Sequence, residues 1–385
     1  MTEQITKPES VKMDPIILGI GGGKGGVGKS MVSANLAVQY AQAGLKVILL
    51  DLDFGAANLH TIFGLRQPEK TLGDYFTSAR SQLEDYLIHT EVDNLLFAPG
   101  SGFVPELANL KHLQKTKLIN HIKALDAHIV LLDLGAGSSI NVVDFFSMTN
   151  AGIVVTTPEP TAIVNAYEFL KNVMYRIFFR MFRNHEQIVS ILKISTAPNN
   201  PLNISTIADL IDAIAKENPW IAESAKEVCK DLDFHVLFNQ ARKAGDAQLV
   251  AKLQDISKKH LCLDLNYAGL IFHNEEVSAS VFKMRPISLE SPSSITAQTL
   301  KRAAMQILNQ VVRKMGAEEK PNEEQGIEGQ GEKRELFEAQ LTRVISQAHQ
   351  DFEKTILAEH KTERDRLKFH AMEGDKVHFD LTDNE

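Results

Sequence analysis

Cysteine is scarce in this chain of 385 residues: there are two, Cys229 and Cys262, and no Cys-x-x-Cys. A disulfide framework is thereby excluded, as are the paired thiolates that hold zinc or iron–sulfur clusters, and a reducing, cytoplasmic setting is expected. Long hydrophobic runs are missing as well. No stretch of about 18 apolar residues occurs, so no membrane-spanning helix is expected. The first residues, MTEQITKPESVKMD, are polar and lack an apolar signal core. Tyrosine is sparse, with none after Tyr267. Nor is there an excess of positive charge. Residues 318–385 hold 10 Lys and Arg against 18 Asp and Glu, which accounts for the whole net charge of −8. A neutral body with an acidic tail does not suit tight nonspecific binding to DNA.

What remains is 44% hydrophobic, enough for one large domain or two smaller ones. Apolar, β-rich runs at 16–20, 46–51, 94–99, 128–133, 152–157, 234–239 and 267–272 alternate with helical patterns such as 30–43, which stops at Gly44. The runs are continuous rather than alternating, as buried parallel strands are. The pattern predicts a doubly wound α/β fold with a mostly parallel sheet over 15–315, after a disordered segment 1–14. Residues 174–232 are too long for a simple crossover and read as a helical insert, a lid or docking element. The insert opens with MYRIFFRMFR, where Arg176, Arg180 and Arg183 share one helical face. That face fits either a solvated core helix or a membrane surface. A helix is expected over 293–315, a Gly/Glu-rich linker over 316–332 and a helical tail within 333–385. Over 333–367 the tail carries seven basic and seven acidic residues, a balance that favours a protein partner over lipid.

The chemistry lies in GGGKGGVGKS, residues 21–30. Gly23, Gly28, Lys29 and Ser30 form G-x-x-x-x-G-K-[ST] between a strand and a helix, the context a phosphate loop requires. Glycines let backbone N–H groups converge on an anion, and the helix N-terminus adds positive potential. Lys29 is expected on the β- and γ-phosphates of ATP and Ser30 on Mg²⁺. In DLDFGAANLH, Asp51 and Asp53 end the second strand and point to one side, toward the crevice where an open α/β sheet binds its ligand.

The second lysine of the loop, Lys24, gives K-G-G-V-G-K-S, which resembles the deviant phosphate loop of the MinD/ParA family of ATPases. The resemblance implies a loop of Gly23, Lys24, Gly25, Gly26, Val27, Gly28, Lys29 and Ser30 around the nucleotide. It also implies that Lys24 reaches the phosphates of a partner's nucleotide, coupling ATP occupancy to homodimerisation. It further implies that Asp53 handles the attacking water, that Asp51 assists the Mg²⁺ shell and that Asn58 senses the γ-phosphate. In DLGAG it places Asp133 on a Mg²⁺-bound water and Gly137 near the γ-phosphate. Asn239 and Pro286 resemble residues that frame adenine; each also reads as a turn residue at a strand end. With TTPEPTAIVNAYEFLK (156–171), the set looks most like the FlhG/FleN (YlxH-type) regulators of flagellar placement and number, with MinD close behind.

The chain also departs from these relatives. The D-Q-A-x-x-L-R element of flagellar regulators is absent from residues 1–15, and Phe54-Gly55 stands where ParA-type proteins have Pro-Gln. A tyrosine-kinase reading lacks its tyrosine-rich tail, and a reductase reading lacks bridging cysteines. The expected function is an ATP-dependent dimerising switch, with a nonhydrolytic ATP-binding scaffold as the alternative.

Overall fold

The computed structural model describes residues 14–317, except 56, 78–79, 101–109 and 198. These belong to one compact unit, Met1–Pro321. The second unit, Asn322–Glu385, lies outside the described residues, and with it the expected tail helix and nearly all of the linker, as does the N-terminal segment 1–13.

The apolar runs form one sheet. Its strands are β1 (Ile16–Gly21), β2 (Val47–Leu52), β3 (Ile88–His89), β4 (Leu95–Ala98), β5 (Ile129–Leu134), β6 (Ala151–Thr156), β7 (Phe234–Ala241) and β8 (Leu265–Phe272). They lie in the order β3-β4-β2-β5-β1-β6-β7-β8. Every residue of β1, β2, β5 and β6 is buried, which is why those runs are unbroken in hydrophobicity. All pairs are parallel except β3 with β4. The two-residue β3 was not expected; it is too short to leave a periodic trace.

Helices α1 (Lys29–Gln42), α2 (Leu59–Ile62), α3 (Leu72–Thr77), α4 (His112–Lys123), α5 (Ile140–Phe146) and α6 (Pro160–Met181) connect the first six strands and leave the sixth. α1 stops where expected: Gly44 takes φ +87° and its N–H bonds the Ala41 carbonyl at 2.9 Å.

The insert differs from expectation in position and in nature. MYRIFFRMFR does not open it. The stretch continues α6, a helix of 22 residues started by Pro160 in its first turn. Phe169, Leu170, Val173, Met174, Tyr175 and Phe178 are buried. Two of the three arginines turn onto α5: Arg176 bonds the Asp144 carboxylate, and Arg180 donates to Ser147 Oγ at 3.1 Å. The core-helix reading of that stretch is the one the packing supports.

The insert proper is α7 (Glu186–Ser195), α8 (Ile207–Glu217) and α9 (Pro219–Asp231). Two of its helix starts are fixed locally. Thr206 and Asp209 form a reciprocal capping box at α8, and Asn218 caps α9 ahead of Pro219. Ile188, Leu192, Ile207, Leu210, Ile214 and Ala225 are buried in the same apolar cluster as Phe169 and Phe178. The insert therefore extends the core; it is not a lid. The chain finishes its described part with α10 (Ala247–Leu261), α11 (Glu275–Phe282), α12 (Ile287–Glu290) and α13 (Ile295–Ala317), the last packed against α1 and β8.

Asp144 joins α4, α5 and α6. It is buried, and it accepts from the buried Lys115 as well as from Arg176. Burial pushes its carboxyl up, but these two cations override that and hold it below the usual carboxylate range. Asp144→Ala would leave the Lys115 ammonium buried and unpaired. We expect a loss of about 3–5 kcal/mol in urea unfolding, whereas Arg183→Ala, at an exposed position, should change stability by less than about 0.5 kcal/mol.

Candidate functional site

The loop after β1 rises at the carboxyl edge of the sheet, between β5 and β6. Gly28 takes φ +92°, a left-handed conformation open to glycine, and hands the chain directly to Lys29, the first residue of α1. Gly23 is required by space: a Cβ there would lie 1.9 Å from the Asn165 carbonyl oxygen on α6. Gly25 and Gly26 are exposed at the apex, and Val27 is buried beneath. Lys29 is 8% exposed and Ser30 half-buried, so the loop closes over its own lysine stem.

The second and third motifs meet the loop from the neighbouring strands. Asp51 and Asp133 are register partners on β2 and β5, so their side chains project side by side on one face of the sheet. Both are fully buried. Burial, then the Asp133 charge, raises Asp51 well above the usual carboxylate range, although the N–H groups of Asp53 and Leu59 bond it at 3.2 and 3.3 Å. Burial likewise pushes Asp133 up to about 6, against hydrogen bonds from Ser33 and Ser30 and the charge of Lys29. The Ser33 bond measures 2.7 Å.

Asp53 follows on the same side. A Cβ built on Gly135 would come within 3.1 Å of its Oδ1, and the Gly55 N–H bonds that oxygen at 3.3 Å. The DLGAG turn is tied to the loop itself: the Gly137 N–H donates to the Gly22 carbonyl at 3.0 Å. Asn58 begins α2 at the rim. The structure thus brings together Lys29, Ser30, Asp51, Asp53, Asp133 and Gly137.

Two expected residues sit otherwise. Asn239, at the carboxyl end of β7, is buried and donates Nδ2 to the Val27 carbonyl at 2.9 Å. It props the loop from beneath. Pro286 precedes α12, whose Ser288 N–H bonds Asn35 on the second turn of α1. Sequence reasoning passed over other residues that the fold places here. Gln240 holds φ +58° and donates to the Gly26 carbonyl at 3.1 Å. Ser33 is one turn into α1 on the face of Ser30, a spacing that could have flagged it. Glu159 and Thr161 receive Lys24, at 2.9 and 3.5 Å; they lie within TTPEPTAIV, which carried a resemblance but no assigned role.

The donor set suits Mg²⁺: a hydroxyl and buried carboxylates, all hard oxygens. No group of three or more His, Cys, Asp or Glu that could hold a metal occurs among the described residues. That is compatible with Mg²⁺, which takes one or two carboxylates and completes its shell with phosphate and water. No helix among the described residues is long and apolar enough to cross a membrane.

Known proteins agree with this geometry. The antiactivator FleN of Pseudomonas aeruginosa is 26% identical over 299 residues, covering 77% of this chain and 87% of FleN. The flagellum site-determining protein YlxH of Helicobacter pylori is 32% identical over 165 residues, 40% of this chain and 52% of YlxH. Among solved structures, the septum site-determining protein MinD of Pyrococcus horikoshii, complexed with Mg-ADP, superposes with a TM-score of 0.52 at 19% identity, over 77% of this chain and 98% of that one. This last likeness is one of fold. The profile of the CobQ/CobB/MinD/ParA nucleotide binding domain matches residues 18–343, and on that span the chain belongs to the MinD/ParA family of nucleotide-binding ATPases.

Proposed function

We propose that this protein is an ATP-driven dimerising switch that governs the placement or number of a cellular structure, a flagellum before a division site. The observation that carries the reading is the joining of three sequence segments at one anion nest: Gly137 to Gly22, Ser33 to Asp133, and Asp53 against Gly135. The backbone N–H groups of residues 23–30 cradle the phosphates, with Lys29 on the β- and γ-phosphates. Ser30, Asp51 and Asp133 would hold Mg²⁺, which would offset phosphate charge when bound. Asp53 orients the water that attacks the γ-phosphorus. Asn58 and Gly137 read the γ-phosphate. Asn239 props the loop through its bond to the Val27 carbonyl, and contact with the base is the further role proposed for it.

Lys24 supplies the second function. Its place at the exposed apex suits a cation offered to a second copy. Ile140 and Val164, 67% and 59% exposed, lie one turn beyond the DLGAG turn and beyond Thr161, giving the rim the partly apolar character of a contact surface. ATP would close the homodimer, the dimer would engage a protein partner, and slow hydrolysis would release it. The names of FleN and YlxH favour a flagellar task, carried out in the cytoplasm or at its periphery in this reading.

Lys29→Ala should abolish binding of Mg-ATP in calorimetry. Asp53→Ala should bind ATP, lose at least about tenfold in steady-state hydrolysis and accumulate dimer. Lys24→Ala should bind ATP as a monomer, and when added to Asp53→Ala it should remove the ATP-dependent dimer in sedimentation. A dimer as stable as that of Asp53→Ala alone would remove Lys24 from the mechanism.

The buried acids give a test of their own. Asp133 binds its proton more tightly folded than unfolded, so the group costs stability as pH rises from about 4, where the unfolded chain loses the proton, to about 6, where the folded one does. Asp133→Asn keeps the acceptor for Ser33 and removes the charge. The nucleotide-free variant should melt about 2–5 °C above the wild type at pH 7, with the gap closing below about pH 4, while losing the stabilisation that Mg-ATP gives.

A further inference from the structure

Lys24 is not held in reserve in solvent. Its Nζ donates to Glu159 Oε2 at 2.9 Å and lies 3.5 Å from Thr161 Oγ1. The contact follows from how the two segments are fixed. The carbonyl of Asn165 fills the space over Gly23, so the loop cannot slide along α6. Glu159 immediately precedes Pro160, the first residue of α6, and its carboxylate makes no capping bond to its own helix. An acid at that position ordinarily accepts from the first-turn N–H groups; here it accepts from Lys24. That bond, then the Lys24 charge, holds the Glu159 carboxyl below the usual range, and Arg242 is close enough to contribute.

Glu159 and the phosphates of another subunit would compete for the same ammonium group, whose strongest contact here is with Glu159. We propose that Glu159, helped by Thr161, parks Lys24 within the lone protomer and so sets the concentration at which two nucleotide-loaded copies join. The proposal rests on the reading that Lys24 acts in trans. Glu159 is a positioning residue: it works through Lys24 and touches no nucleotide of its own subunit. The pair is solvent-exposed, with side-chain exposures of 39% and 60%, so it is weak and screened by salt. It can therefore yield to a polyphosphate, and it tunes a threshold without blocking the joined state.

The test is Glu159→Gln, which keeps size and removes the charge. With Mg-AMPPNP, sedimentation should show a dimer dissociation constant about 2- to 20-fold lower than wild type, since two such contacts break per dimer. Lys24→Ala/Glu159→Gln should sediment like Lys24→Ala, because the effect runs through Lys24. A second readout needs no nucleotide and no dimer: acylation of Lys24 by acetic anhydride, followed by peptide mass spectrometry, should be severalfold faster in Glu159→Gln. Faster acylation with an unchanged dissociation constant would overturn the proposal, because the contact would exist without setting the threshold. A weaker dimer would overturn it too, placing Glu159 in the joined state. If Lys24→Ala itself dimerises like wild type, the trans reading fails, while the acylation rates still report whether Glu159 holds Lys24.

Discussion

Two carboxylates side by side in a buried sheet set the terms for everything around them. Asp51 and Asp133 are register partners on adjacent strands and neither reaches solvent. Like charges that close, in low dielectric, cannot both ionise without compensation. The fold supplies part of it: two backbone N–H groups on Asp51, two serine hydroxyls on Asp133, and Lys29 overhead. The strand order is what makes this possible. With β2, β5 and β1 adjacent, three segments far apart in sequence end at one edge, and the carboxylates come to lie beneath the glycine-rich loop. The remaining charge is what a bound Mg²⁺ would offset in the proposed function.

The sheet was legible in the sequence because buried parallel strands cannot alternate: VILLDL and IVLLDL announce themselves, and they bury every residue. The phosphate loop was legible because few sequences satisfy its glycine spacing, and Gly23 and Gly28 are bound to glycine by contact and by φ. What stayed hidden was partnership across the chain. Nothing in MYRIFFRMFR says that Arg176 answers to Asp144, or that α6 runs into that stretch as far as Met181. Asn239 was readable as a residue near the nucleotide, but its bond to Val27 spans 212 positions and depends on β7 lying two strands from β1. Pro286 was readable as a turn residue, and it precedes a short helix whose Ser288 N–H bonds Asn35 on α1. Glu159 showed only as part of a motif, since a carboxylate before a proline at a helix start normally serves that helix.

The insert illustrates how size and function separate in this architecture. Three helices were added within the crossover from β6 to β7, and their apolar faces were absorbed into the core beneath α6 and α10. Nothing from them enters the carboxyl edge. In an open α/β sheet the chemistry sits where strands end, so the crossover can grow on its far side without disturbing the loop, and two of the three helices, α8 and α9, bring side-chain caps of their own. The core and the site are built by different residues, even though one helix, α6, contributes to both: its first turn meets the loop and its later turns hold the apolar cluster.

That division separates two kinds of unmet demand. In the core Lys115 and Arg176 pair with Asp144, while buried polar atoms such as Tyr40 Oη, Ser257 Oγ and Ser288 Oγ have no hydrogen-bond partner among the described residues. At the loop the demand is one of charge. A carboxylate pair awaits a cation, Gln240 is held in a left-handed backbone conformation to reach the Gly26 carbonyl, and the apex lysine is occupied by a weak exposed pair. Such strain at a site is tolerated only when the surrounding structure is stable enough to impose it. Its consequence is thermodynamic. A ligand that satisfies these groups binds the folded state alone and stabilises it in proportion to what was lacking. A fully satisfied empty site would gain little from nucleotide and would change little on losing it. A switch of the kind proposed would need its nucleotide-free form to be the less satisfied one, and two buried carboxylates side by side at the edge where three strands converge meet that need.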